Sequence, residues 1–301
     1  MQLIAFIIIY PILWLISILP FRLLYLFSDF CYLLVYYVVG YRKKVVRGNL
    51  LLVFPEKSDA ERLKIEKKFY HHLCDMFLEM IKSLTISDAQ LRKRFVFPNV
   101  EVINEYEKKG QSIILISGHY ANWEWMNIMK EYVSLRGYGV YKKLTNKYFD
   151  KLVRDIREKR NSTLITTKNT FKTIRQNQNN NLLAIYYMVS DQSPKPLPNY
   201  YWTDFMNITV PCFNGSEVLA RKVDMPFIYF KIEKVKRGHY QGTFIPLTPK
   251  GIKNYPLNEP TELFYRELEK QLYEAPEYYY WVHKRWKHRD KVPPEYQKKE
   301  K

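Results

Sequence analysis

Ile113-Ile114-Leu115-Ile116-Ser117-Gly118-His119-Tyr120-Ala121-Asn122-Trp123-Glu124 is the stretch on which the fold turns. Four apolar residues make a short buried strand, and Gly118 can supply a sharp turn that ends it. A strand running straight into a helical pattern opens a βα unit, and ligands favour the carboxyl edge of sheets built from such units. His119 is expected at that edge. His119 and Glu124 are five residues apart, roughly 140° around a continuous α-helix, so they meet only if His119 lies in the turn and Glu124 on the helix behind it. A histidine whose second nitrogen is held by a carboxylate is fixed in tautomer and becomes a better base, which suits removing a proton from a hydroxyl. The chain has no Gly-x-Ser-x-Gly nucleophile motif. The economical reaction is direct attack of the activated hydroxyl on an acyl carbonyl, without a covalent acyl-enzyme, with backbone N–H groups at the helix start facing the oxyanion.

Outward from this stretch, strands are predicted at 113–116, 138–141, 182–189, 226–232 and 240–245. Helical patterns are read at 120–135, 146–160, 215–223 and 261–273. The alternation predicts an α/β fold with a mixed, largely parallel central sheet flanked by helices. Ser58-Asp59-Ala60-Glu61 is a capping box opening an amphipathic helix that continues through Phe69, Leu73, Phe77 and Leu84. Residues 3–19 are uncharged and almost wholly apolar, Pro20 breaks the run, and a second apolar stretch covers 23–40. Residues 1–40 therefore read as a membrane anchor with an interfacial segment, and 41–301 as the catalytic domain. Arg22, Arg42, Lys43, Lys44 and Arg47 follow the first run, which puts the domain on the cytoplasmic side.

A formal charge of +18 among 301 residues attracts anionic partners. Of these, the 26 tyrosines favour a membrane surface over nucleic acid, and no nucleic-acid-binding module is recognisable. Cys31, Cys74 and Cys212 lack metal-ligand spacing and read as small buried hydrophobes. His71 and Asp75 have the i, i+4 spacing of metal ligands but no third ligand, and read as polar groups on a helix face. The Lys-rich end, Lys298–Lys301, reads as a frayed tail.

Gly118-His119-Tyr120-Ala121-Asn122-Trp123-Glu124 resembles the His-x4-Asp/Glu motif of the lysophospholipid acyltransferase superfamily, in the form typical of bacterial lipid A secondary acyltransferases. Arg47-Gly48-Asn49-Leu50 with Phe54-Pro55-Glu56 is similar to that family's lead-in from its anchor. Val140-Tyr141-Lys142 with Asn146, Asp150 and Arg157 is similar to the segment after the catalytic helix. Asp191-Gln192 after a strand, Leu219-Ala220-Arg221 before Pro226, and Pro276-Glu277-Tyr278-Tyr279-Tyr280-Trp281-Val282-His283-Lys284-Arg285-Trp286-Lys287 follow in the family's order.

The resemblance implies a glycerol-3-phosphate acyltransferase-like fold at the bacterial inner membrane. It implies transfer of a fatty acyl group from acyl carrier protein to a hydroxyl of an anionic glycolipid, a lipid A precursor. His119 and Glu124 match the family's catalytic pair, and no metal or organic cofactor is expected. Arg157 is a candidate either to bind an acceptor phosphate or to steady the catalytic carboxylate, Lys142 is a candidate contact to an acceptor phosphate, and Asp191 is expected to shape the site floor. Three positions depart from the pattern: Ala121 replaces a glycine, Lys142-Lys143 an Arg-Pro pair, and Phe205-Met206-Asn207 a Phe-Phe-Gly-like element. Another membrane acceptor, such as an aminoacyl lipid or a different glycolipid, is the alternative, and a non-catalytic basic binding protein is a remote one.

Overall fold

The computed structural model describes residues 2–160, 162–194 and 200–297; Asn161 and the lysine-rich end lie outside them. Helices α1 (Gln2–Ile18) and α2 (Phe21–Leu33) are separated at Pro20, whose ring cannot continue α1. A widened π-helical turn, Leu34–Val39, prolongs α2 until Gly40, at φ +63°, ends it. The helices α3 (Lys43–Val53) and α4 (Asp59–Lys82) follow. The Ser58–Glu61 capping box forms as expected and starts α4. After α5 (Asp88–Arg92), β1 (Phe95–Val96) and α6 (Glu101–Lys108), the chain enters β2 (Ile113–Ser117).

Beyond β2 the expected helix over 120–135 is a 3₁₀ helix at Trp123–Glu131. The chain continues through β3 (Arg136–Tyr141), α7 (Lys147–Glu158), β4 (Ser162–Thr166), α8 (Thr170–Asn179) and β5 (Ala184–Val189). The hairpin β6 (Tyr201–Phe205) and β7 (Ile208–Cys212) turns on Met206-Asn207, both at positive φ, the backbone a two-residue hairpin needs. Then come α9 (Gly215–Val223), β8 (Phe227–Lys236), β9 (His239–Pro246) and α10 (Glu259–Glu274).

The central sheet has seven strands in the order β1-β9-β8-β2-β5-β3-β4. Strands β8, β2, β5, β3 and β4 are mutually parallel, and β9 and β1 run against them. The mixed, largely parallel sheet is therefore as expected. Strand β2 lies near the centre with every residue buried, as a strand covered on both faces requires. Side-chain alternation assigns the faces. Tyr138 stacks on Tyr186, which accepts a hydrogen bond from Asn177 of α8, and Tyr229 packs on Phe264 of α10. On the opposite face Phe230 stacks with Phe95, Phe97 and Phe244, and Phe97 meets Tyr132 just after the 3₁₀ helix. Both faces are thus covered, and the carboxyl ends of β2 and β5 open toward the site.

Candidate active site

The register of β2 and β5 builds the centre. These parallel neighbours pair Ser117 with Val189, so the residues two beyond each strand end, His119 and Asp191, come face to face. His119 Nδ1 lies 2.6 Å from Asp191 Oδ1. Burial pushes the Asp191 carboxyl up, but the charge and hydrogen bonds of His119 outweigh it and hold it below its ordinary range. An ionised carboxylate only accepts, so Nδ1 carries a proton, and in the neutral imidazole Nε2 then presents its lone pair. The side-chain amide nitrogen of Gln192 stands 3.3 Å from that Nε2 and can donate to it.

This corrects the pairing read from the sequence. Glu124 does not hold His119: it faces α7, where Arg157 Nε donates to its Oε2 at 2.8 Å and Nη2 donates to Oε1 in a second, shorter contact. Burial pushes the Arg157 guanidinium down, and the Glu124 charge more than reverses this. The local backbone explains the change of partner. Asn122 Oδ1 accepts from the N–H groups of Glu124 and Trp125, at 3.1 and 3.3 Å, and starts the helix with Glu124 turned away from His119. The same cap occupies two of the helix-start N–H groups, those of Glu124 and Trp125.

The turn itself is also built differently. A Cβ on Gly118 would lie 2.7 Å from Leu268 Cδ1 of α10, so a larger residue there would displace the end of that buried side chain. Positive φ falls instead on the buried Ala121, at +52°, a conformation that costs an L-residue roughly 1–2 kcal/mol. The C-terminal segment holds the strained turn in place. Ala121 N–H donates to Tyr278 O at 2.9 Å, and Tyr280 N–H donates to His119 O at 3.1 Å. Asn49 in turn donates to the carbonyls of Trp281 and His283, at 2.8 and 2.9 Å. Segments scattered through the sequence thereby converge on one loop.

His119 opens onto a cavity of about 770 Å³ whose lining includes Trp123, Glu124, Lys142, Arg157 and Gln192. Strand β3 contributes Gly137 and Gly139 from one face and Tyr138 and Val140 from the other, so the cavity folds over the sheet's carboxyl edge with a lobe on each side. Met126, Met129, Val133 and Leu164 line the lobe beneath the 3₁₀ helix; Phe171, Leu219 and Lys222 line the other. Lys142 is exposed at the mouth, on a loop that the buried Asp150 secures by accepting the Leu144 N–H at 2.8 Å.

The remaining marked residues are packed. His283 Nε2 accepts from the Ser193 N–H at 3.1 Å, and burial pushes its pKa down to about 4. Arg285 is fully buried and donates to Pro211 O and Cys212 Sγ. Trp125 is buried and donates to Glu79 O, while Trp123 keeps its ring 5.1 Å from His119 at the cavity wall. His71 Nε2 lies at hydrogen-bonding distance, 2.7 Å, from Asp29 Oδ1, with Asp75 Oδ2 3.8 Å from its Nδ1. Cys74 and Cys212 are buried and Cys31 partly so, all as free thiols.

A histidine held through Nδ1 by a buried carboxylate, beside a cavity where Met, Val and Leu side chains alternate with polar ones, has the chemistry to take a proton from a hydroxyl next to an apolar group. The family profile described as bacterial lipid A biosynthesis acyltransferase matches residues 2–288, and the chain belongs to that acyltransferase family. It is 23% identical over 263 residues to the lipid A biosynthesis palmitoleoyltransferase of Escherichia coli K12, covering 82% of this chain and 79% of the relative. It is 24% identical over 291 residues to the lipid A biosynthesis lauroyltransferase of the same organism, covering 95% and 92%. A lipid A biosynthesis acyltransferase of Shigella flexneri matches at 23% over 263 residues.

Proposed function

We propose that the protein transfers a fatty acyl group from an acyl carrier protein thioester to a hydroxyl of a lipid A precursor. The reaction takes place at the cytoplasmic side of a bacterial inner membrane. The observation that carries the chemistry is the His119–Asp191 pair beside an apolar cavity; family membership carries the acceptor class.

His119 Nε2 takes the acceptor's hydroxyl proton as that oxygen attacks the thioester carbonyl. Asp191 keeps the proton on Nδ1 and stabilises the imidazolium that forms. Collapse of the tetrahedral intermediate breaks the C–S bond, and His119 returns its proton to the departing thiolate. The products are an acyloxyacyl ester and free carrier thiol. The acyl chain lies in the lobe beneath the 3₁₀ helix, where glycines at 137 and 139 leave room against Ser162 and Leu164. Glu124 fixes Arg157 at the cavity wall, and Arg157 and the exposed Lys142 meet the anionic headgroup of the acceptor. Neither metal nor organic cofactor enters this chemistry.

Incubating the purified protein with acyl carrier thioester and a tetra-acylated precursor is expected to give a product one acyl chain heavier, and His119→Ala to give none. Full activity of His119→Ala overturns the mechanism. Unchanged lipid A in a deletion strain, with loss of a different acylated lipid, overturns the acceptor.

A further inference from the structure

We infer that α1 and α2 form a platform embedded in one leaflet of the membrane without crossing it. The inference stands apart from the acyl-transfer reading. The segment Phe21–Val39 is long and apolar enough to cross a bilayer, and its outer face is exposed, with Leu26 at 67% and Val38 at 75%. Its other face is fixed to the catalytic domain by polar contacts. Tyr25 donates to Glu79, Ser28 to Asp75 and Tyr36 to Glu66, each at 2.8 Å. Asp29 pairs with Arg237 at the tip of the β8–β9 hairpin and with His71.

These contacts run in opposite order along the two chains, so α2 lies antiparallel along α4 through nearly its whole length. It cannot stand upright in hydrocarbon without taking Glu66, Asp75 and Arg237 with it, and charged groups are strongly disfavoured there.

Helix α1 is bound at both ends as well. Phe6 packs on Tyr148 and Phe149 of α7, and Lys82 Nζ donates to the carbonyls of Ser17 and Leu19, at 2.7 and 2.8 Å. The narrow stripe Phe6, Tyr10, Leu13 and Ser17 faces inward, while Ile4, Ile8 and Ile12 face out. An apolar outer face bordered by the exposed Arg22, Arg42 and Lys44 fits one leaflet of a membrane with anionic headgroups, apolar below and negative at the rim. The loop that lines the cavity mouth with Lys142 and Leu144 leads directly into the α7 residues that hold Phe6. The mouth therefore adjoins the platform, and a lipid acceptor reaches it sideways from the leaflet.

Topology tests this without reading acyl transfer. In the full-length chain with its three native cysteines replaced by alanine, single cysteines are placed by Gln2→Cys, Arg22→Cys and Lys44→Cys, with Lys151→Cys marking the catalytic domain. A membrane-impermeant thiol reagent is then applied to sealed vesicles of each orientation. Every site is expected to label from the face that labels Lys151→Cys, or from neither face until detergent is added. Labelling of any site from the opposite face overturns the proposal: Arg22→Cys alone there means that α1 and α2 cross as a hairpin.

Discussion

Replacing Asp191 by Asn tests which carboxylate serves His119. The ionised Asp191 accepts from Nδ1–H at 2.6 Å in a site that excludes solvent from the carboxyl. As the hydroxyl proton moves to Nε2, the ring becomes cationic with its charge about 4 Å from the carboxylate. At an effective dielectric of about 20 that attraction is roughly 4 kcal/mol, or on the order of 10³ in rate. An amide at 191 also turns its NH₂ toward Nδ1 and favours the tautomer with the proton on Nε2, which cannot act as base. The combined loss expected in kcat is on the order of 10³–10⁴, with the KM of both substrates little changed. The assay is steady-state transfer from labelled acyl carrier thioester to a tetra-acylated precursor, with thermal melts in the same detergent to establish that the variant is folded. A folded Asp191→Asn protein within about tenfold of the parent kcat refutes the assignment and makes Asp191 a structural residue.

Four further outcomes follow from the geometry. Glu124→Gln removes the charge that holds Arg157 and is expected to raise the acceptor KM about tenfold with a smaller change in kcat; a kcat loss at constant KM would instead place Glu124 on the reacting atoms. Ala121→Gly relieves roughly 1–2 kcal/mol of left-handed strain and loses roughly 0.4–1 kcal/mol through the looser unfolded chain, leaving a net gain of about 0.5–1 kcal/mol measurable as a higher denaturant midpoint. Gly139→Val would place its Cβ 2.9 Å from Leu164 Cδ2 and push that side chain into the lobe; competition among donors of graded length is expected to show about tenfold less use of the longest chain. His283 has a folded pKa of about 4 against 6.5 for the free side chain, so the unfolded chain binds the extra proton and stability falls as pH drops through that window. His283→Gln keeps an acceptor for the Ser193 N–H and is expected to flatten that decline in denaturant titrations at pH 7 and 5.

The parts of the fold legible in the sequence are those whose signals are local. The Ser58 capping box, the apolar strand at Ile113 and the helix over Gly215–Val223 all appear where read. Strand β4, Ser-Thr-Leu-Ile-Thr, is too short and polar to register as a buried strand, and α8 carries β-branched and amide residues that favour other conformations. The 3₁₀ helix Trp123–Glu131 follows the positive-φ Ala121 and the Asn122 cap, and apolar spacing does not distinguish it from an α-helix. At the site, His119 was readable because glycine, a strand end and a helix start surround it. Its partner was not, because the 72 positions separating His119 from Asp191 close only through strand register. One signal was available: an apolar strand ending two residues before Asp191, in the same relation that β2 bears to His119.

That shared register explains why sequence proximity misleads about Glu124. Two parallel strands present their next residues to each other at the sheet edge, so a base and its carboxylate taken from adjacent strands need only backbone geometry to meet. A carboxylate on the helix after the base must instead wind back past the cap. Here it reaches across to α7 and fixes a cation at the cavity wall. On the proposed mechanism the His-x4-Glu spacing brings two functions to one place: the histidine edge for the reaction, and an anchored guanidinium for the charge of the acceptor. On this arrangement proton transfer is indifferent to the acceptor's identity. On the proposed mechanism selectivity falls to Arg157, the Lys142 loop and the two lobes.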